Sequence, residues 1–257
     1  MFLAILIFNY KNMKKDKSVA KRNKSKTFAK IISLVGTKGG ILKTTLIQCI
    51  TTSQAFSKYK IIILEGDSQG SLTSWLKERD PKLKPLNIVV YQHNKDLTLK
   101  EELEKYRREC DFLFVDLPGE SEALNLTRNA LVFSDLCIFP LRLSHKDTTA
   151  FNDNMKIPLF RVLKARDKKH FRILPTFAHH STNINNLKEN YASIKAIGLF
   201  NNVHKDRNIY TYFSVGGLSL REYKSKHKFN LMESSKASKA IHDIEEISKE
   251  LIKIVNK

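Results

Sequence analysis

The sequence is poor in cysteine, acid and long apolar stretches, and each shortage narrows what it can encode. Its three cysteines, Cys49, Cys110 and Cys137, are odd in number, scattered and set in apolar segments. That argues against a disulfide framework or a cysteine zinc site and fits buried thiols in a reducing cytoplasm. The eight histidines show no metal-ligand spacing, and the adjacent pair His179-His180 reads as loop. The apolar start, Met1 to Phe8, falls far short of the roughly 20 residues that a membrane span requires. No basic residues precede it and no small-residue cleavage site follows, so a signal peptide is not expected. Met13, just downstream, offers an alternative start. No internal repeat of about 20–50 residues is evident.

Acid is the most consequential shortage. Twenty-six Asp and Glu stand against 45 Lys and Arg, a formal charge of +19 with pI ≈ 9.8. Such an excess favours a polyanion as partner, nucleic acid first and anionic membrane second. A Lys/Asn/Ile-rich composition of the kind AT-rich genomes encode is the competing explanation. The charge is densest between Lys11 and Lys30, where Asp16 is the single acid. This stretch reads as a mobile basic arm that would hold nucleic-acid phosphates without reading sequence. It is too short and polar for a helix-turn-helix. The 257 residues, 42% hydrophobic, suffice for one good core. The expected division is an arm over 1–30 and a single α/β domain over 31–257.

What the chain does contain is organised around Ile31 to Ile47, I-I-S-L-V-G-T-K-G-G-I-L-K-T-T-L-I. An apolar, β-branched run predicts a strand buried on both faces. A loop with Gly36, Gly39 and Gly40 follows, then Lys43-Thr44-Thr45 and a helical pattern starting at Leu46. Strand, glycine-rich loop, Lys-Thr and helix can hold a phosphate chain, with loop N–H groups and the helix N-terminus converging on the anion. Lys43 would meet the outer phosphates and the Thr44 hydroxyl would face Mg²⁺. Leu42 stands where the P-loop pattern wants glycine; if that position needs positive φ, Leu there costs about 1–2 kcal/mol.

Beyond this loop strands and helices alternate. Thr44 to about Lys58 has helical spacing, and Lys60 to Leu64 is a strand running into the acidic turn Glu65-Gly66-Asp67. A strand over Leu86–Tyr91 and a charged helix over Leu99–Arg108 follow. Asp111 to Gly119 carries a strand that delivers Asp116 at its tip, the arrangement in which a carboxylate orients Mg²⁺, usually through water. Leu124–Phe133 reads as helix, Asp135–Leu141 as a strand broken at Pro140, and Thr148–Ala165 as a helix that Pro158 interrupts or ends. Phe171–Phe177 is a further strand and Asn183–Ile197 a helix ended by Gly198. Phe200–Val203 is the expected last strand. Lys236–Val255 is an amphipathic helix with a mixed-charge polar face, suited to packing on the sheet and not to a membrane surface.

In their order these segments resemble the ParA/MinD group of ATPases with a deviant Walker A loop, in particular the short ParA-type partition ATPases. Lys38, Gly39, Gly40, Lys43, Thr44 and Thr45 match the deviant loop K-G-G-x-x-K-T-T. Glu65-Gly66-Asp67-Ser68-Gln69-Gly70-Ser71 with Trp75 is similar to D-x-D-P-Q-G-S…W. Asp116-Leu117-Pro118-Gly119 matches the D-x-P-x turn. Thr127 to Leu131, Ser134-Asp135 and Pro140 follow R-x-A-L…A-D…P, and Gly217 to Leu220 with Glu222 looks like G-x-[ST]-[VL]-x-E. Three residues depart from the pattern: Leu42, Glu65 for the first Asp, and Ser68 for proline.

The resemblance implies an open, mostly parallel twisted sheet with helices on both faces, as in P-loop NTPases. It implies ATP and Mg²⁺ as cofactors, with nucleotide held by Lys38, Gly39, Gly40, Ile41, Leu42, Lys43, Thr44 and Thr45. The metal would be served by Thr44, Asp67 and Asp116. Catalysis would fall to Lys43, to Asp67 positioning the attacking water, and to Lys38 reaching into a partner subunit's site. The implied protein is a cytoplasmic, nucleoid-associated bacterial ATPase that forms a nucleotide-dependent homodimer, binds DNA non-specifically and answers to a ParB-like centromere-binding partner. Two alternatives stand beside it. One is a hydrolysis-deficient DNA-binding or regulatory factor, should Leu42 and Glu65 abolish turnover. The other is a MinD-like membrane-positioning ATPase, against which the mixed charge of the closing helix argues.

Overall fold

The structure, a computed structural model, describes residues 28–36, 42–118, 124–142, 144–179, 181–182 and 197–256. Among these the chain builds strands β1 (Lys30–Leu34), β2 (Ile61–Glu65), β3 (Ile88–Gln92), β4 (Phe112–Asp116), β5 (Leu136–Arg142), β6 (Phe171–Thr176) and β7 (Gly198–Leu199). They form a parallel sheet in the order β3-β2-β4-β1-β5-β6-β7. The helices are α1 (Lys43–Thr51), α2 (Ser71–Lys77), α3 (Leu99–Tyr106), α4 (Leu124–Phe133), α5 (His145–Leu163), α6 (Leu220–Lys226) and α7 (Leu231–Val255).

The continuous apolar runs of the central strands follow from burial on both faces, since successive side chains point to opposite sides. Ile31, Ile62, Leu64, Leu113 and Val115 face one core, closed by Leu99 and Leu103 of α3, Ala130 to Phe133 of α4, and Phe151 and Val162 of α5. Ile32, Leu34, Ile61, Ile63, Phe112 and Phe114 face the other, closed by α1, α2, α6 and the apolar stripe Ala237, Ala240, Ile244, Ile247 and Leu251 of α7. The closing helix therefore packs on the sheet, as its spacing predicts. Cys49 and Cys137 are buried, Cys110 is half-buried, and all three are free.

The prolines act differently from the sequence expectation. β5 runs through Pro140, which pairs with Leu174 of β6. On its other side β5 pairs with β1 only as far as Ile138, whose carbonyl accepts the Val35 N–H. Two residues on, Pro140 faces that same side, where the ladder has ended, so its missing N–H breaks no bond. α5 likewise continues past Pro158; buried Phe151 and Val162 anchor the helix on either side of it.

Other boundaries shift. α1 stops at Thr51, where the Thr51 and Thr52 hydroxyls bond back to Ile47 and Gln48 carbonyls and compete with helix propagation. The last strand is Gly198–Leu199 and not Phe200–Val203, so Gly198 opens a strand. Its Cβ position lies 2.4 Å from the Arg172 guanidinium, so any side chain would displace that arginine. α7 begins at Leu231, ahead of the expected Lys236, because Asn230 caps it by accepting the Glu233 N–H at 3.1 Å. The helix expected over Asn183–Ile197 lies outside the described residues except for Ile197, and so does the basic arm up to residue 27; its expected end at Lys30 is too late, because Ala29 is buried in the core with its N–H on the Arg107 carbonyl and Lys30 opens β1.

Candidate nucleotide-binding site

Register brings the candidate residues together. Leu34 at the end of β1 and Glu65 at the end of β2 both pair with Asp116 at the end of β4. Three strand tips thus end at one level, at the carboxyl edge of the sheet, where open α/β sheets place ligands. Gly66 continues from β2 so close to β4 that its N–H donates to the Asp116 carbonyl at 2.8 Å. A Cβ there would come within 3.0 Å of that oxygen and 3.3 Å of Pro118.

The loop after β1 arrives at Leu42 with φ 63° and ψ 18°. The position is left-handed, as a glycine there would allow, and Leu42 bears the strain while packing partly buried against the helix-side core. α1 starts at the next residue with no side-chain cap and no acid in its first turn, which leaves its positive end suited to an anion. Lys43 is buried there. Burial lowers its pKa, opposed by the charges of Asp116 and Asp67.

The Thr44 hydroxyl donates to Asp116 Oδ2 at 2.7 Å. Asp116 Oδ1 is buried and, among the described residues, has no hydrogen-bond partner. Burial pushes the Asp116 pKa up to about 6; the Thr44 hydrogen bond and Lys43 pull the other way, while Glu65 and Asp67 add to the rise. A buried carboxylate oxygen with nothing to bind, beside a threonine hydroxyl and a second carboxylate, fits a hard divalent cation such as Mg²⁺. Asp67 is half-buried in the turn after β2, its Oδ1 accepting the Gln69 N–H at 3.0 Å. Thr45 follows in the first turn of α1, half-buried. Lys38, Gly39, Gly40 and Ile41 lie outside the described residues.

Glu65 has a different task from the one its place in the motif suggests. Fully buried, its carboxylate accepts the Leu72 N–H at 2.6 Å, the Thr73 N–H at 3.1 Å and the Thr73 hydroxyl at 2.6 Å. It caps α2, and the extra methylene over aspartate is used in that contact. Three further residues escaped the sequence reading. Thr73 is the partner of Glu65. Gln92, at the tip of β3, donates to the Asp67 carbonyl at 2.7 Å and the Glu65 carbonyl at 3.1 Å. Arg79 forms a bidentate pair with Glu222 and donates to the Gly217 carbonyl at 2.8 Å. Only Gln92 had a legible signal, its place at the end of an expected strand.

The remaining matched segments are structural joints. Trp75 donates its indole N–H to the Leu218 carbonyl at 3.1 Å, and Ser219 and Glu222 form a capping box on α6. Asp135 accepts the Ile31 N–H at 2.8 Å, and the Ser134 and Ser33 hydroxyls meet at 2.6 Å. These tie α4 and β5 to the strand that carries the loop.

Comparison with solved structures places the architecture. A Borrelia burgdorferi B31 protein assigned to plasmid partition, bound to AMPPNP, matches with TM-score 0.55 and 18% identity over 88% of this chain and 99% of its own. The ATP complex of a Cyanothece McdA variant matches with TM-score 0.62 and 14% identity over 88% and 97%. The MinD cell division protein of Aquifex aeolicus matches with TM-score 0.59 and 17% identity over 87% and 97%. No protein-family model and no curated protein sequence matches the chain. At such identities the likeness is one of fold: the chain has the P-loop NTPase architecture of the ParA/MinD type, and its sheet is wholly parallel where mostly parallel was expected.

Proposed function

We propose that the protein is a ParA-type partition ATPase that dimerises on Mg²⁺–ATP, holds DNA non-specifically and releases it on hydrolysis. The single observation that carries this reading is the join between Thr44 and Asp116, with a carboxylate oxygen unpartnered among the described residues beside a buried lysine at the mouth of a strand–loop–helix unit. Fold neighbours solved with AMPPNP and ATP support it.

In this reading Lys43 and the loop amides from Lys38 to Leu42 hold the β and γ phosphates. Keeping Lys43 charged in its buried place falls to Asp116, Asp67 and the bound phosphates. Thr44 and Asp116, with Asp67, would hold Mg²⁺, which supplies charge neutralisation at the transferred phosphoryl group. Asp67 orients the attacking water, and Gln92 fixes the backbone that presents it. Lys38 of one subunit completes the other's site, so nucleotide binding and dimer formation are coupled. Pairing two basic subunits raises their hold on DNA by effective concentration, and a ParB-like partner would stimulate the release step.

Size-exclusion chromatography with light scattering, with and without Mg²⁺–ATP, tests the reading on wild type and Lys38→Ala. Dimers that need nucleotide and vanish in the variant are expected; monomers under every condition would overturn it. A second reading, nucleotide binding without turnover, draws on the strained Leu42. Single-turnover hydrolysis against an Asp67→Ala control separates the two.

A further inference from the structure

We propose that the turn between α6 and α7 is a docking element for an anionic phospholipid surface. Phe229, Leu231 and Met232 project from it with 89%, 83% and 72% of their surface exposed. The turn is well held. The Asn230 N–H donates to the His227 carbonyl at 3.0 Å, Asn230 caps α7, and the His227 ring lies 4.3 Å from that of Tyr223. Three large apolar side chains are therefore held in water by a fixed backbone, which marks a contact surface.

Charge identifies the occupant. Lys224, Lys226 and Lys228 alternate along the same segment, and among the described residues none of them forms an ion pair. The Lys228 ammonium lies 4.8 Å from the Phe229 ring centroid, so cation and ring share one level. Both flanking acids are engaged: Glu222 with Arg79 and the α6 cap, Glu233 with Lys236, Tyr212 and Tyr223. Between α6 and α7 a groove of about 630 Å³ is lined by Arg221, Lys224, Lys228 and the hydroxyls of Ser225, Ser234 and Ser238, with Ile241 among them. Arg221 there also pairs with Glu245.

An exposed apolar tip beside Lys228, with a groove that carries cations and hydroxyls next to it, matches a lipid headgroup region. Phosphates would lie in the groove and among the lysines, and the three side chains would enter the acyl boundary. A DNA backbone would satisfy the lysines but leave the apolar tip in water. A second copy of the chain would bury too little on three side chains, against the roughly 800 Å² per partner of a stable interface. This element is separate from the polar face of the closing helix, whose mixed charge does not suit a membrane. It also does not depend on the nucleotide site.

The test uses the full chain and vesicles of phosphatidylglycerol with phosphatidylcholine, against vesicles of phosphatidylcholine alone. The basic arm would attract anionic vesicles unaided, so the informative variant removes apolar surface at constant charge: Phe229→Ser, Leu231→Ser and Met232→Ser together. Co-sedimentation of wild type with the anionic vesicles only is expected, with affinity about tenfold or more lower in the triple variant. Separately, the emission of Phe229→Trp should shift to the blue on anionic vesicles and stay put on duplex DNA; this measurement decides even if the triple variant misfolds. Absence of vesicle binding, equal binding by the triple variant, or a tryptophan response to DNA and not to vesicles would overturn the proposal.

Discussion

Thr44 and Asp116 are joined by a 2.7 Å hydrogen bond across 72 positions of sequence. It links the first turn of α1 to the tip of β4. One oxygen of the carboxylate is thereby fixed, and the other is buried and, among the described residues, unpartnered.

That arrangement makes Asp116 a stability cost that a ligand can relieve. Its pKa is raised to about 6 by burial, so the folded protein keeps the proton where the unfolded chain has released it. The sign follows: stability is greatest below the unfolded pKa near 4 and falls as pH rises to about 6, by on the order of 3 kcal/mol. Asp116→Asn should match wild type near pH 4 and exceed it above pH 6, as read by denaturant titration at several pH values. Mg²⁺-dependent nucleotide binding should run the other way, weakening in wild type as pH falls through about 6 and being lost in the variant.

Glu65 and Asp67 sit two residues apart and should fail differently. Removing the buried cap with Glu65→Ala orphans three donors on Leu72 and Thr73 and should cost about 2–4 kcal/mol of unfolding free energy. The folded fraction should keep its ATP turnover. Asp67→Ala should lose turnover while stability changes by about 1 kcal/mol or less, since its side chain is half-buried and accepts one backbone bond. Thermal denaturation paired with phosphate release distinguishes them.

Two adjacent glycines offer a contrast of the same kind. Gly216 and Gly217 both have positive φ, 72° and 71°. A Cβ on Gly216 meets open space, whereas one on Gly217 would lie 2.5 Å from the Arg79 backbone. Gly216→Ala should therefore cost only the backbone strain, about 1–2 kcal/mol. Gly217→Ala should cost more than about 3 kcal/mol, because it also pushes Arg79 off Glu222. Urea unfolding of the two variants side by side measures the difference.

How much of this was legible beforehand depends on what a residue's role leaves in the sequence. The alternation of apolar strands and helices made the parallel sheet readable, because burial on both faces dictates those runs. Asp116 was readable for a related reason: an acid ending an apolar strand must sit at a sheet edge. Glu65 was not, since its spacing to Asp67 suggested a second acid at the site while its real partners lie on the next helix. Pro140 and Pro158 misled because whether a missing N–H matters depends on neighbours that sequence does not show. The exposed turn at Phe229 gave no signal, since exposure is a property of the folded surface.

For DNA, the charge of +19 makes salt the decisive variable. If retention rests on lysine–phosphate contacts, log affinity should fall linearly with log salt, and a protein with about six such contacts should lose on the order of 10³-fold between 50 and 200 mM. Filter binding on duplexes of unrelated sequence should give one common slope. Deleting residues 1–27, which stops short of buried Ala29 and of β1, should make that slope shallower without altering nucleotide binding. Retention indifferent to salt would remove the electrostatic basis of the proposed cycle.

Gln92 holds the turn that carries Asp67. Its amide donates to the Asp67 and Glu65 carbonyls, and it is exposed at the end of β3, so replacing it leaves the core intact. Gln92→Ala frees the turn, and Gln92→Glu sets a carboxylate against two carbonyl oxygens. If Asp67 orients the attacking water, loosening its backbone should lower kcat about tenfold while KM for ATP and thermal stability stay close to wild type. The Glu variant should be worse than the Ala variant, because repulsion drives the turn out of place where truncation only releases it. A change confined to KM would instead assign Gln92 to nucleotide binding, and a loss of stability with unchanged kcat would assign it to the fold.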